Sequence, residues 1–189
     1  MAKLTIVLAR HSIANNAPVN KDRQLTPEGE TLAKATGRNL AAEYPSELIV
    51  TSGVRRTQQT AACFAESQPG IMVVDNLGLF IPDDQALVAA IMATCLTPEG
   101  RLAAWRNNPK IIKLASDMSQ VIMSEMARVA AERVICVGHD PLQQLTAAAL
   151  MLNIEALNVK LAPCDAIVIN YDTEAFPFAW NICPAATVA

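Results

Sequence analysis

The sequence predicts an α/β layered fold built on a mostly parallel sheet. Short apolar runs alternate with longer helical patterns along the chain, as strand–helix–strand units require. Two helix starts carry the same Thr-Pro-Glu-Gly signature, and no stretch reads as a linker long enough to divide the chain. At 189 residues, 52% hydrophobic and 17% charged, the chain is expected to form one globular domain, 1–189, with a sizeable core.

The elements follow in order. Leu4–Ala9 is the first strand. Thr26-Pro27-Glu28 opens the first helix, with a hydroxyl N-cap, proline at the first helical position and an acid near the dipole. This helix runs to about Glu43 and stops before Pro45. Leu48–Thr51 is a second strand, residues 53–66 a second helix, and Ile71–Asp75 a third strand. Residues 83–94 are apolar nearly all round, which predicts a helix with little solvent exposure. Ser116–Ala131 is a further helix, Arg133–Val137 a β-branched strand and Pro141–Leu152 the helix after it. Ala166–Tyr171 and Phe176–Ile182 close the fold as a strand pair around an Asp-Thr-Glu turn. Residues 100–117 are the most independent segment, with Arg101, Arg106, Lys110 and Lys113 around Trp105. They read as a solvated amphipathic stretch or as a flap insertion over an anion site.

Composition excludes several classes. A net charge of −3 gives no basic surface for nucleic acid. No apolar run approaches the ~18 residues of a membrane span. The run Leu4–Ala9 ends at Arg10, shorter than a secretory h-region of roughly 7–15 residues. Cys63, Cys95, Cys136, Cys164 and Cys183 are scattered without a C-x-x-C pair. They read as reduced, buried thiols in a cytoplasmic protein. Oligomeric state has no sequence signal.

The chain has two histidines, and each stands one step beyond a strand. His11 follows the first strand, and His139 follows 133–137 in "ICVGHD". Ligands of open α/β sheets bind beyond the carboxyl ends of the strands, so the two imidazoles are expected to meet. Arg10, Arg23 and the Arg55-Arg56 pair lie near the same ends. Guanidinium groups bind phosphate bidentately and stay charged at neutral pH. Two histidines among arginines describe a phosphoryl pocket, with one imidazole as nucleophile and the other as a donor to the developing charge. Metal binding is the competing use of two histidines, with Asp22, Asp83, Asp84 or Asp140 completing a site. Arg10 beside His11 opposes a cation, so no metal is expected. Neither a phosphate-binding Gly-rich loop nor a G-x-S-x-G elbow is present.

Four blocks carry a family resemblance. Arg10-His11 after a first strand resembles the "RHG" signature of the histidine phosphatase superfamily, which includes the phosphoglycerate mutases. "DRQLTPEG" (22–29) resembles the "RPLTxxG" segment of the small bacterial phosphohistidine phosphatases. "TSGVRRTQQTA" (51–61) resembles "SPxxRAxQTA", and "VGHD" (137–140) resembles the second-histidine strand end. The resemblance implies a phosphoglycerate mutase-like three-layer α/β/α sandwich. It also implies catalysis by His11, His139 and Asp140, with phosphate held by Arg10, Arg23, Arg56 and His139. Alignment on Ser52, Gln59 and Thr60 selects Arg56 over Arg55, and only one of the two should face the pocket, since neighbouring helical positions point about 100° apart. His11 would form a phosphohistidine intermediate, with no metal or organic cofactor. The implied partners are a phosphorylated small molecule or a phosphohistidine protein.

Departures from the pattern qualify this. Ser12 replaces glycine, which predicts either backbone strain, if φ is positive, or an extra donor in the pocket. Gly53 stands for the usual proline and Thr57 for the common alanine. The glutamate that the mutase-like branch places after the third strand is absent. Asp140, in the place used by the acid-phosphatase branch, is preferred as general acid over Asp83 or Asp84. The missing glutamate counts against the alternative of a mutase. A second alternative is a phosphate-binding module without activity.

Overall fold

The computed structural model describes residues 3–17, 19–79, 85–172 and 175–188. Among them six strands form one sheet: β1 (Lys3–Arg10), β2 (Leu48–Thr51), β3 (Met72–Asp75), β4 (Arg133–Gly138), β5 (Ala166–Asp172) and β6 (Ala175–Cys183). Their order is β3-β2-β4-β1-β5-β6. β1 to β4 are parallel, and β5 runs against both β1 and β6. The α-helices are α1 (Pro27–Glu43), α2 (Arg55–Ala65), α3 (Gln85–Thr94), α4 (Pro98–Asn107), α5 (Pro109–Val129) and α6 (Leu142–Met151).

Strand alternation sends successive side chains to opposite faces. Ile6 and Leu8 pack with Ile91, Ile111, Met118 and Leu145, from α3, α5 and α6. Val7 and Ala9 pack with Ala33 and Leu40 of α1 and with Ala61 and Phe64 of α2. Two apolar layers around one sheet make the expected three-layer α/β/α sandwich. All five cysteines are free and buried. Among the described residues no helix is long and apolar enough to cross a membrane.

The Thr-Pro-Glu-Gly starts are built alike. Thr26 Oγ1 accepts from Gly29 N at 3.0 Å, and Thr97 Oγ1 from Gly100 N at 3.1 Å. Both glycines are required by close approach. A Cβ on Gly29 would stand 2.1 Å from Ile13 O, and one on Gly100 1.7 Å from Thr94 O.

Three expectations are corrected. Helix α5 begins at Pro109, not Ser116, because the Asn108 side chain caps it by accepting from Lys110 N. Helix α3 is not enclosed: it buries Leu87 and Ile91 but leaves Met92 53% exposed. Residues 100–117 fall in α4, its Asn108 junction and α5, and Arg101 among them is buried rather than solvated. At 2% exposure it donates to the carbonyls of Leu157 (2.7 Å), Cys95 (3.2 Å) and Val159 (2.7 Å). Trp105 packs against the core beside it, while Lys113 pairs with Asp117 at the surface. Of the closing turn, Thr173 and Glu174 lie outside the described residues.

Candidate active site

Parallel pairing of β1 with β4 sets Arg10 level with Gly138. The next residue on each strand is a histidine, so both leave the sheet at one height, on neighbouring strands. His11 N donates to Gly138 O at 2.9 Å, and the two imidazole centroids lie 5.3 Å apart with 64° between the planes.

His11 Nδ1 lies 2.7 Å from Ser12 O. A carbonyl can only accept, so Nδ1 carries the proton and Nε2 keeps its lone pair. Burial, followed by the nearby charges of Arg56, Arg10 and Arg23, lowers the His11 pKa to about 3, against the opposing pull of the Ser12 carbonyl. At neutral pH this imidazole is uncharged, with a lone pair on Nε2 that is chemically able to attack an electrophile.

His139 is only 6% exposed and also held neutral, first by burial and then by the charges around it. Its Nε2 lies 2.9 Å from Ser52 Oγ, and its Nδ1 accepts from Arg56 Nη2 at 3.2 Å. Arg56 is 4% exposed and donates through Nη1 to Asn20 O at 2.7 Å, whereas Arg55 faces solvent. Burial, then the charge of Arg23, lowers the Arg56 pKa to about 10. Arg10 donates from Nη1 to Leu161 O at 2.6 Å, and Arg23 from Nε to Asn15 O at 2.7 Å. The Nε atoms of Arg10 and Arg56 are buried without a hydrogen-bond partner among the described residues. A buried unpaired donor on a cation costs free energy that an arriving anion would recover.

Asp140 follows His139. One oxygen stands 3.8 Å from Arg10 Nη1, and the other accepts from Gln144 Nε2. Asp75 is engaged elsewhere, accepting from Thr51 Oγ1 at 2.7 Å and Gln58 Nε2 at 2.6 Å. Asp83 and Asp84, the alternatives for the acid, lie outside the described residues.

Neither expectation for Ser12 survives. Its backbone does not have a positive φ, and its buried Oγ commits its hydrogen to Gly29 O at 2.7 Å. Ser12 thus fixes the loop to the start of α1. Gly53 has φ +74°, which proline cannot adopt, so the turn into α2 differs locally from a proline-containing one. Sequence reasoning used Ser52 only to align a block, noted Thr57 only as a replacement for alanine, and passed over Gln144. The hydroxyl pair five residues apart was its available signal.

With this geometry in view, comparison with known proteins becomes specific. Residues 6–78 match the histidine phosphatase superfamily, branch 1. That segment carries His11, Arg10, Arg23 and Arg56. A search of curated proteins returned no match. Among solved structures, similarity extends over nearly the whole chain. A protein assigned as the phosphohistidine phosphatase SixA from Agrobacterium tumefaciens is 19% identical, over 98% of each chain, with a TM-score of 0.60. Its counterpart from Nakamurella multipartitia is 22% identical, over 99% of this chain and 97% of that one, with a TM-score of 0.60. A mycobacterial glucosyl-3-phosphoglycerate phosphatase is 21% identical, over 95% and 97%, with a TM-score of 0.65. At these identities the likeness establishes the fold.

Proposed function

We propose that the chain is a histidine phosphatase that hydrolyses a phosphoramidate or phosphomonoester through a phosphohistidine on His11. The observation that carries this reading is the His11 tautomer. Nδ1–H is committed to the Ser12 carbonyl, leaving Nε2 as a neutral nucleophile among Arg10, Arg23 and Arg56.

In the first step the Nε2 lone pair attacks phosphorus, a P–N bond forms, and the bond from phosphorus to the leaving group breaks. Arg10, Arg56, Arg23 and His139 hold the phosphoryl oxygens, and electrostatic stabilisation of that charge supplies most of the acceleration. The leaving group takes its proton from Asp140 or from water. In the second step water attacks phosphorus, the P–N bond breaks, and inorganic phosphate departs. Arginines supply the positive charge, so the reaction draws on no metal ion or organic cofactor.

Both oxygens of Asp140 are already engaged, one facing Arg10 and the other accepting from Gln144. This favours a substrate whose leaving atom is readily protonated, such as the nitrogen of phosphohistidine, over a sugar phosphate. Names carried by structural relatives include both substrate kinds.

A phosphoenzyme trapped from labelled substrate should be acid-labile and base-stable, and vanadate should inhibit as a mimic of the transferring group. If His11→Ala hydrolyses an aryl phosphate as fast as the parent, the reading fails.

A further inference from the structure

We propose that Thr57 is a positioning residue for the reaction: acting through Ser52, it dictates which nitrogen of His139 carries the proton. This rests on the phosphatase reading for its kinetic consequence, although the proton assignment stands on geometry alone.

Thr57 Oγ1 lies 2.8 Å from Val54 O. Since a carbonyl only accepts, the single hydroxyl hydrogen of Thr57 is committed there. Thr57 Oγ1 also lies 3.1 Å from Ser52 Oγ. With its hydrogen committed, Thr57 must accept, so Ser52 donates. Ser52 Oγ then presents only lone pairs to His139 Nε2, 2.9 Å away, and Nε2 must carry the proton. At the other side of the ring Arg56, which has hydrogens and no acceptor, donates to Nδ1 at 3.2 Å. Every link points the same way, from Arg56 through His139, Ser52 and Thr57 to Val54 O. Ser52 and Thr57 are fully buried, so no water competes for these hydrogens.

Removing the Thr57 hydroxyl frees the Ser52 hydrogen. Ser52 could then donate to Nε2 while Arg56 donates to Nδ1, and a neutral imidazole cannot accept at both nitrogens. The ring would divide between tautomers, one of which sets an Nδ1–H against the Arg56 guanidinium. With Thr57 in place, Nδ1 is the one basic nitrogen. When a phosphoryl group claims the Arg56 hydrogen, Nδ1 is the lone pair left to accept from a protonated phosphoryl oxygen, whose proton the two then share. Alanine is common at this position in the family pattern, so the device belongs to this chain's own residue.

The test uses ¹⁵N-histidine NMR of the full chain together with steady-state kinetics. In the parent protein His139 should show a protonated Nε2 and a pyridine-like Nδ1. Thr57→Val, which keeps the volume and loses the hydroxyl, should give a tautomer mixture and lower kcat about tenfold, with KM little changed. Thr57→Ser should restore both the spectrum and kcat. Should Thr57→Val fail to fold, Thr57→Ala supplies the same comparison. A parent-like spectrum and kcat in the hydroxyl-free variant, or no rescue by serine, overturns the proposal. A parent that folds but does not hydrolyse phosphate overturns the phosphatase reading instead, and the spectrum still tests the relay.

Discussion

Arg10 Nη1 stands 3.8 Å from Asp140 Oδ2, while Gln144 donates to the other oxygen of the same carboxylate. One acid therefore faces both a phosphate-binding candidate and a neutral amide. If Asp140 also delivers the leaving-group proton, Asp140→Asn should slow alkyl phosphate hydrolysis by about 10²-fold or more. A phosphohistidine peptide, with its basic leaving nitrogen, should be affected far less. Comparing kcat on the two substrates checks this, and equal losses would assign Asp140 to holding Arg10 alone.

Acid stability follows from the two histidines. Both are held below the ordinary 6.5, His11 at about 3. Between pH 6.5 and those lower values the unfolded chain binds more protons than the folded one, so stability rises with pH. It is complete above 6.5 and is lost as pH falls, at up to about 1.4 kcal/mol per pH unit for each histidine. Urea midpoints between pH 7 and 4.5 should show this slope, and His11→Asn should remove its His11 share. A double His11→Asn/His139→Asn variant with the parent's slope would locate the acid sensitivity elsewhere.

Ser12→Ala should weaken the fold without touching the chemistry. It deletes the bond from Oγ to Gly29 O and leaves a buried carbonyl without that donor, at a cost of about 1–3 kcal/mol. Because the hydroxyl points at α1, kcat should not change. A large fall in kcat at full folding would return Ser12 to the pocket.

Arg101→Met should be among the more damaging changes outside the site. It strips donors from three carbonyls, those of Cys95, Leu157 and Val159. At roughly 1 kcal/mol or more for each orphaned acceptor, the loss is about 3 kcal/mol, or a Tm lower by about 6–12 °C. A thermal scan decides, and a parent-like Tm would show that water replaces the guanidinium.

The sequence is most legible where backbone geometry and residue type agree. His11, Arg10 and His139 could be placed because strand ends and charged residues coincide, and the Thr26 cap because its chemistry is local. Arg56 was separable from Arg55 through alignment on the family block, helical geometry adding only that one of the two should face the pocket. Arg101 was not legible: its partners include main-chain oxygens more than fifty residues away, and carbonyls leave no mark on a sequence. Grouping it with Arg106, Lys110 and Lys113 made residues 100–117 look like one charged segment and hid the start of α5, although Asn108-Pro109 announced it. The turn of Ser12 toward Gly29 depends on how closely the loop approaches α1, a distance no local pattern contains.

Three arginines borne by strands or α-helices finish on main-chain oxygens of connecting segments: Arg10 on Leu161, Arg56 on Asn20, and Arg101 on Leu157 and Val159. The course of each loop is thereby written partly in a side chain from another element. Loop transplantation between relatives, a common route to new substrate scope, would fail here unless the anchoring arginine and the carbonyl it meets were moved together. Divergence of these loops must accordingly proceed by paired steps rather than by single insertions.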